Sequence, residues 1–205
     1  MVLVFEGAHR PLGNSTLRAM FEARKRVFVD LLKWEVPVLD GRFEVDQFDD
    51  EHAVYLVVAD PDGRHLGSAR LLETTRPHIL DTLFPELCAG APPRGPSVLE
   101  ITRFCLDRRL PARDRLAVRN RLVCAFVDYA LERSLTGFTG VAEIGWLQQI
   151  LAFGWRCRPL GLPRTIGGRM LGALAIEITA DAPLLLARNG IESDPILQRQ
   201  PALAA

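Results

Sequence analysis

The stretch EVDQFDDEH (44–52) holds five carboxylates, Glu44, Asp46, Asp49, Asp50 and Glu51, and runs straight into AVYLVVAD, which reads as a buried strand. Acids at the door of a core element call for cations, and the chain supplies them where solvent does not explain them. Arg24 falls on the apolar stripe of Leu17, Met20, Phe21, Val27, Phe28 and Leu31, one turn before Phe28. In HLGSARLLE (65–73) the two-residue period puts Arg70 on one face with Leu66, Ser68 and Leu72. In VLEITRFCLD (98–107) Glu100 and Arg103 interrupt an apolar run. A guanidinium on a core face needs a carboxylate or an anionic ligand. With Asp46 and Asp49 three apart on an irregular segment, three cations and several carboxylates gather near the ends of one sheet. Such a set suits a zwitterionic ligand carrying both an ammonium and a carboxylate.

Plainer readings stand beside this one. Arg24 fits a snorkelling rim position, and Asp50 and Glu51 read as a solvated loop. A regular strand sends Glu100 and Arg103 to opposite faces, so a bulge near 101–103 is expected if both face one cavity. Glu100 is then a natural partner for Arg70 or Arg103, and spacing alone is equally consistent with a structural ion pair.

These residues need elements to hold them. VLVFEG (2–7) reads as a strand. STLRAMFEARKRVFVDLLKW (15–34) reads as a helix capped by Ser15 or Thr16. HAVYLVVAD and HLGSARLLE read as a hairpin turning at DPDGR. A Pro-containing connection, with a short helix in HILDTLFPEL, leads to the strand 98–107. A long amphipathic helix (113–135), a strand (137–144), a helix closed by Gly154 (145–155) and a last strand (171–179) follow, and DAPLLLARNGI adds a terminal helix. Hairpins with one crossover predict an α/β sheet carrying helices on its faces. The expected domain is single, over 1–191, with a flexible tail at 192–205.

Lys+Arg and Asp+Glu both number 25 in 205 residues. That balance leaves no electrostatic footprint for nucleic acid or an anionic membrane. No apolar run approaches a membrane span, and the start MVLVFEGAHR lacks the basic leader of a signal peptide. Cys88, Cys105, Cys124 and Cys157 form no CxxC pair, and His9, His52, His65 and His78 show no ligand spacing. The expectation is a cytoplasmic protein with reduced thiols, no metal and no cofactor.

Taken together, RKRVF with Arg24 and Phe28, Trp34 in LLKWEV, EVDQFD with Asp46 and Asp49, GSARLLETTRPHIL around Arg70, LFPEL (83–87) and LEITRF with Glu100 and Arg103 resemble the acyl-homoserine lactone synthases. These are the autoinducer synthases of bacterial quorum sensing. Order and spacing agree over roughly residues 2–180. The resemblance implies a GNAT-like three-layer α/β/α sandwich around a twisted mixed sheet. It implies an acyltransferase whose substrates are S-adenosylmethionine and an acyl thioester, from acyl-CoA or acyl carrier protein. The α-amine attacks the thioester, the methionyl carboxylate closes onto its γ-carbon, and methylthioadenosine leaves. Catalytic roles then fall to Glu100, assisting amine deprotonation directly or through a water, with Arg70 and Arg103 beside it. Asp46 and Asp49 would hold the ammonium or sulfonium region, Arg24 or Arg103 the carboxylate, and Phe28 and Trp34 the adenine or the cationic sulfur. A splay between the strands at 98–107 and 137–144 would admit the pantetheine arm.

Two departures qualify the resemblance. The junction before the long helix, LDRRLPARDRL, lacks the Gly-rich pyrophosphate loop of generic GNAT enzymes. Arg108, Arg109, Arg113 and Arg115 there fit carrier phosphates or a solvated basic turn. The segment TGVAEIGWLQQILAFGW, with Glu143 and Trp146, and RPLGLP (158–163) look like the branch using CoA thioesters. The expected acyl group is short, branched or aromatic, with Glu143 and Trp146 in its pocket; helix packing accounts for Trp146 as well. The alternatives are a GNAT-like N-acyltransferase acting on another amine and a relative that binds ligand without catalysis.

Overall fold

A computed structural model describes residues 1–7, 11–193 and 196–201. The strands are β1 (Val2–Phe5), β2 (Val38–Leu39), β3 (Phe43–Glu44), β4 (Val54–Ala59), β5 (His65–Glu73), β6 (Val98–Leu106), β7 (Gly137–Glu143), β8 (Arg156–Pro159), β9 (Arg164–Ile166), β10 (Arg169–Glu177) and β11 (Leu197–Arg199). The α-helices are α1 (Ser15–Arg24), α2 (Ile79–Thr82), α3 (Ala112–Glu132), α4 (Ile144–Leu151) and α5 (Ala182–Ala187). The chain forms two compact units, one of residues 1–71, 103–125 and 194–205, the other of 72–102 and 126–193. Both β6 and α3 pass from one unit to the other.

In the first unit β1 pairs antiparallel with β4, and β4 with β5. The hairpin turn is the expected one: the Asp60 carbonyl accepts from Gly63 N–H at 3.0 Å, and its carboxylate accepts from Arg64 N–H at 2.8 Å. Gly63 has a φ of +79°, which favours glycine. Gly67 lets α3 close onto β5: a Cβ there would stand 2.6 Å from Val118 Cγ1. Leu197–Arg199, within the tail expected to be flexible, pair in parallel with Val2–Val4, so this part of the tail is a sheet edge. Residues 194, 195 and 202–205, and His9, lie outside the described residues.

The opening helix departs from its expected course. Its cap is Asn14, whose side-chain oxygen accepts from the N–H groups of Thr16 and Leu17, in place of Ser15 or Thr16. After Arg24 the α-helix widens into a π-helix over Lys25–Leu31. Leu32 N–H reaches the Val27 carbonyl at 2.9 Å, and Lys33, at φ +56°, ends the element. The wider turn tucks Phe28 into a cluster with Ala23 and Cys105, against Val27, Leu32 and Trp34. π-Turns of this kind recur at functional sites.

In the second unit β6 runs parallel to β7, β7 antiparallel to β10, and β10 antiparallel to both β8 and β9. The sheets mix parallel and antiparallel pairs, as an α/β fold requires. The β6–β7 register runs from Val98–Gly137 to Glu100–Thr139, while β7 continues to Glu143. Short strands β8 and β9 escaped the sequence reading because RCRP and RTI carry no apolar alternation. Gly161 permits the chain after β8 to approach Leu87 and Ala89 backbone, where a Cβ would stand 2.5 Å from the Leu87 carbonyl oxygen.

Candidate active site

Three of the expected cations and two of the expected acids meet in the first unit, with one acid more. Arg24 comes from the end of α1, Arg70 from β5 and Arg103 from β6. Glu44 ends β3, and Asp46 and Asp49 sit on the loop behind it. That loop is folded by its own acids. Asp46 Oδ1 accepts from Phe48 N–H at 2.9 Å, and Asp49 Oδ2 accepts from Asp46 N–H at 2.8 Å. These short-range bonds turn both carboxylates inward.

The contacts form a closed network. Arg24 donates in bidentate fashion to Asp49 at 2.7 and 2.9 Å, and its Nε donates to Glu44. Arg70 donates to both oxygens of Asp46 at 2.6 and 3.0 Å and meets Asp49 Oδ1 at 2.8 Å. Arg103 bridges Glu44 Oε1 at 3.1 Å and Asp46 Oδ2 at 2.7 Å. Tyr55 donates its hydroxyl to Asp49 Oδ1 at 3.1 Å. Asp49 thus has both oxygens engaged by the protein and ties Arg24, Arg70 and Tyr55 together. Arg24 is fully buried, which overturns the rim reading.

The electrostatics follow from this pairing. Burial works to raise the Asp49 pKa, but Arg24 and Arg70 outweigh it and hold the carboxyl well below its usual range. Burial works against the Arg24 charge, and Asp49 with Glu44 hold that guanidinium protonated well above its ordinary value. For Tyr55, burial and then Asp49 push the phenol up, so it remains a hydrogen-bond donor. Aromatic faces complete the cage. Arg24 lies 4.9 Å from the Phe21 ring centre, and Arg103 lies 5.6 and 5.7 Å from those of Phe28 and Trp34. Phe28 and Trp34 stack on each other at 4.7 Å.

Glu44 was counted among the acids but not singled out as a site residue. The signal was present: Glu44 and Asp46, two apart in an extended segment, share a face. Tyr55 gave no such signal, because a tyrosine in an apolar strand reads as core.

A bulge was expected near 101–103; at Arg103, inside β6, the backbone has a left-handed φ of +51°. Glu100 belongs to the second unit. It was expected to pair with Arg70 or Arg103; its two carboxylate oxygens accept from the N–H groups of Ile79 and Leu80, at 2.8 and 2.9 Å. The acid is wholly buried and fixed by the first turn of α2.

Glu143 and Trp146, expected in the acyl pocket, also lie in the second unit. Glu143 accepts from Arg169 at 2.6 Å, with both side chains substantially exposed. Trp146 packs edge-on against Phe153 at 5.7 Å, and Phe153 against Trp155 at 5.7 Å. A cavity of about 410 Å³ opens at the Gly137 end of β7, lined by Val98, Phe138, Cys157, Arg158 and Ile176 among others. Glu143 and Trp146, at the far end of that strand and the helix after it, do not line it.

Burial pushes the Cys105 thiol up to about 12 and that of Cys157 up to about 11, so neither supplies a thiolate nucleophile near neutrality. Among the described residues no His, Cys, Asp and Glu group could hold a metal ion, and no helix is long and apolar enough to cross a membrane.

A buried acid–guanidinium cage beside an aromatic pair is the arrangement expected from the resemblance, and comparison with known proteins decides its family. The sequence profile of the autoinducer synthases matches residues 9–182. The chain belongs to that family. An acyl-homoserine-lactone synthase from Ralstonia nicotianae is 38% identical over 183 residues, covering 86% of this chain and 89% of the relative. The CoA-dependent acyl-homoserine lactone synthase BjaI, solved with S-adenosylmethionine and isopentyl-CoA, superposes with a TM-score of 0.83 at 30% identity, covering 98% of this chain and 93% of that one. An acyl-CoA N-acyltransferase from Pseudomonas aeruginosa, at 16% identity and a TM-score of 0.58, covers 87% of this chain and 99% of its own and shares the fold alone. As an autoinducer synthase the chain is an acyltransferase of the acyl-homoserine lactone class, built on the α/β fold it shares with N-acyltransferases.

Proposed function

We propose that this autoinducer synthase makes its lactone from S-adenosylmethionine and a CoA thioester bearing a short, branched or aryl acyl group. The observation that carries the reading is the cage itself. It holds three guanidinium groups, three carboxylates and an aromatic pair in one buried network of the first unit. The likeness to BjaI, a CoA-dependent synthase solved with S-adenosylmethionine and isopentyl-CoA, supports the donor.

In this reading the cage takes the methionyl end of S-adenosylmethionine. Glu44 and Asp46 each turn an oxygen toward Arg103, the least buried of the three guanidiniums, and are the acids placed to receive an ammonium or sulfonium. Phe28 and Trp34 offer their faces to the sulfonium or the adenine. Arg24 and Arg70 fix the acids; Arg24 is spent on Glu44 and Asp49, which leaves Arg103 as the candidate for the ligand carboxylate. Glu100, held by two backbone amides, is the group proposed to take the ammonium proton, directly or through a water.

The neutral amine then attacks the thioester carbonyl, and a C–N bond forms as the C–S bond breaks. The sulfur leaves with its electron pair and is protonated to the free thiol. The methionyl carboxylate next attacks its own γ-carbon, whose bond to sulfur breaks. The sulfonium takes that electron pair and departs as neutral methylthioadenosine, so one positive and one negative charge vanish together.

The test is mass spectrometry of the reaction mixture with S-adenosylmethionine and a panel of straight, branched and aryl acyl-CoAs, beside the same acyl groups on acyl carrier protein. Equal yields of free thiol, methylthioadenosine and acyl-homoserine lactone from branched or aryl CoA substrates support the reading. Thiol without methylthioadenosine points to acylation of another amine, and turnover confined to acyl carrier protein overturns the donor.

A further inference from the structure

Glu100 accepts from the N–H groups of Ile79 and Leu80, so its place depends on where those amides stand. They open α2, a helix of four residues. A single turn does not sustain itself, because fixing it yields one backbone bond for several ordered residues. Contacts from outside α2 must therefore set its first turn.

A closed run of contacts does this. It leaves β6 at Val98, whose carbonyl accepts from the Thr74 hydroxyl at 2.8 Å. The turn after β5 carries it on from Thr74 to Arg76, with Arg76 N–H meeting the Glu73 carbonyl at 3.3 Å. The Arg76 carbonyl in turn lies 2.9 Å from Nδ1 of His78. From His78 the chain passes directly to Ile79 and Leu80, and their amides return to β6 on Glu100, two residues from the start. A second tie between turn and helix is Arg94, which donates to the Thr75 carbonyl and stands 3.5 Å from Asp81. Arg94 is exposed, and exposed pairs hold weakly. The buried tie is His78.

His78 is itself firmly set. It is wholly buried, its N–H donates to Asp81 at 2.9 Å, and its carbonyl accepts from Thr82 N–H at 3.1 Å. Besides the Arg76 carbonyl, Asp81 Oδ1 lies 3.3 Å from Nδ1. Both neighbours of Nδ1 are acceptors, so Nδ1 carries a hydrogen. Nε2 is buried and meets no protein partner among the described residues. Burying a polar atom in that way is costly, and an apolar side chain would fill the space without the cost. Packing therefore does not account for an imidazole here; the Nδ1–H is what it supplies.

We propose that His78 is a positioning residue for Glu100: its Nδ1–H, donated to the Arg76 carbonyl, sets the first turn of α2 so that the amides of Ile79 and Leu80 hold Glu100 where it takes the ammonium proton. This rests on the role of Glu100 proposed above. His78 has no share in bond making. Without it Glu100 is present but displaced, and a displacement of about 1 Å can cost a reaction about 10²-fold.

The test is steady-state thiol release with S-adenosylmethionine and the best acyl thioester of the panel above. His78→Ala should lower kcat about 10-fold or more, with the KM for S-adenosylmethionine changed by less than ~2-fold. His78→Asn, whose amide nitrogen stands where Nδ1 does, should recover kcat to within ~3-fold of wild type. Adding His78→Ala to Glu100→Gln should cost nothing further, because residues that act as a unit are not additive. An unchanged kcat in His78→Ala, His78→Asn no faster than His78→Ala, or losses that multiply in the double variant would each overturn the role. Wild-type protein gives a second readout that needs no variant to be active. Long-range proton–nitrogen spectra should show the His78 hydrogen on Nδ1, the signal being assigned by its absence in His78→Asn; a hydrogen on Nε2 alone overturns the tie to Arg76. Full activity in Glu100→Gln overturns the proton-transfer reading and the positioning role with it, whereas a slow Glu100→Gln beside an unimpaired His78→Ala overturns the positioning role alone.

Discussion

Both units bury carboxylates, and donors of different kinds reach them. The first unit surrounds Glu44, Asp46 and Asp49 with the side chains of Arg24, Arg70 and Arg103. The second gives Glu100 the backbone N–H groups of Ile79 and Leu80. Guanidiniums sit on rotatable stems; backbone amides are held in their helix. The first arrangement therefore suits recognition of a charged ligand, and the second suits a carboxylate whose position must not change. The cost of disturbing them should differ too. Removing one member of a buried ion network strands a charge, and removing Glu100 strands two backbone donors.

The largest expected effect tests that difference directly. Asp49→Ala leaves both Arg24 and Arg70 short of an acceptor and should cost about 3–5 kcal/mol. Glu100→Ala should cost about 1–3 kcal/mol. Urea titration followed by hydrogen exchange measures both, and equal losses would break the contrast between the units.

Acid should separate the units next. His65 is buried in the first unit, its Nε2 sharing a hydrogen bond with Ser68 Oγ at 2.8 Å. Burial depresses its pKa from 6.5 to about 4, against Asp107, which favours the charge, and Arg26 and Arg109, which oppose it. The unfolded chain thus binds the proton first. Stability is complete above the unfolded value and falls as pH drops from 6.5 towards 4, by roughly 3 kcal/mol in the limit. His65→Gln should flatten that slope. Thermal melts from pH 7 to 4, with hydrogen exchange assigning the loss to residues 1–71, check it; a slope unchanged in His65→Gln would show that some other group sets it.

Third comes chemistry. Glu100→Gln keeps the shape and one carbonyl acceptor but no basic oxygen. If Glu100 takes the ammonium proton, thiol release should fall by about 10²-fold or more. Titrated S-adenosylmethionine affinity should change little if proton transfer is the only task of Glu100. A loss that falls on affinity alone would move Glu100 from proton transfer to binding.

The legible parts of the sequence were those in which a residue contradicted its surroundings. Arg24 on an apolar stripe and Arg70 in an apolar strand stood out because burying a charge demands a partner, and both are in the cage. The strands β4 to β7 and β10 were legible from apolar runs bounded by turns. What could not be read was pairing, since a carboxylate and three arginines far apart in sequence admit several matches. The backbone amides that reach Glu100 are likewise displayed by no sequence pattern. The π-helix was equally hidden, because α- and π-turns of seven residues bury much the same apolar set. Edge strands β8, β9 and β11 are too short and too polar to show a period, and are fixed by their neighbours.

The smallest effect concerns the two helices that bring these acids their partners. Helix α1 ends on Arg24 and starts under Asn14, whose carboxamide oxygen receives two N–H groups. Asn14→Ala should cost about 1 kcal/mol, and Ser15→Ala only a few tenths, because Ser15 already lies inside the helix. Helix α2 offers the counterpart. Asp81 accepts from His78 N–H at 2.9 Å, yet the next two N–H groups are already received by Glu100. Asp81→Ala should therefore cost less than Asn14→Ala, about half as much. The helix that presents the Arg24 guanidinium depends on a side-chain cap, and the helix that presents the amides is capped by the acid it serves. Should Asp81→Ala prove the more damaging, Glu100 would be held by α2 less firmly than its two short bonds imply.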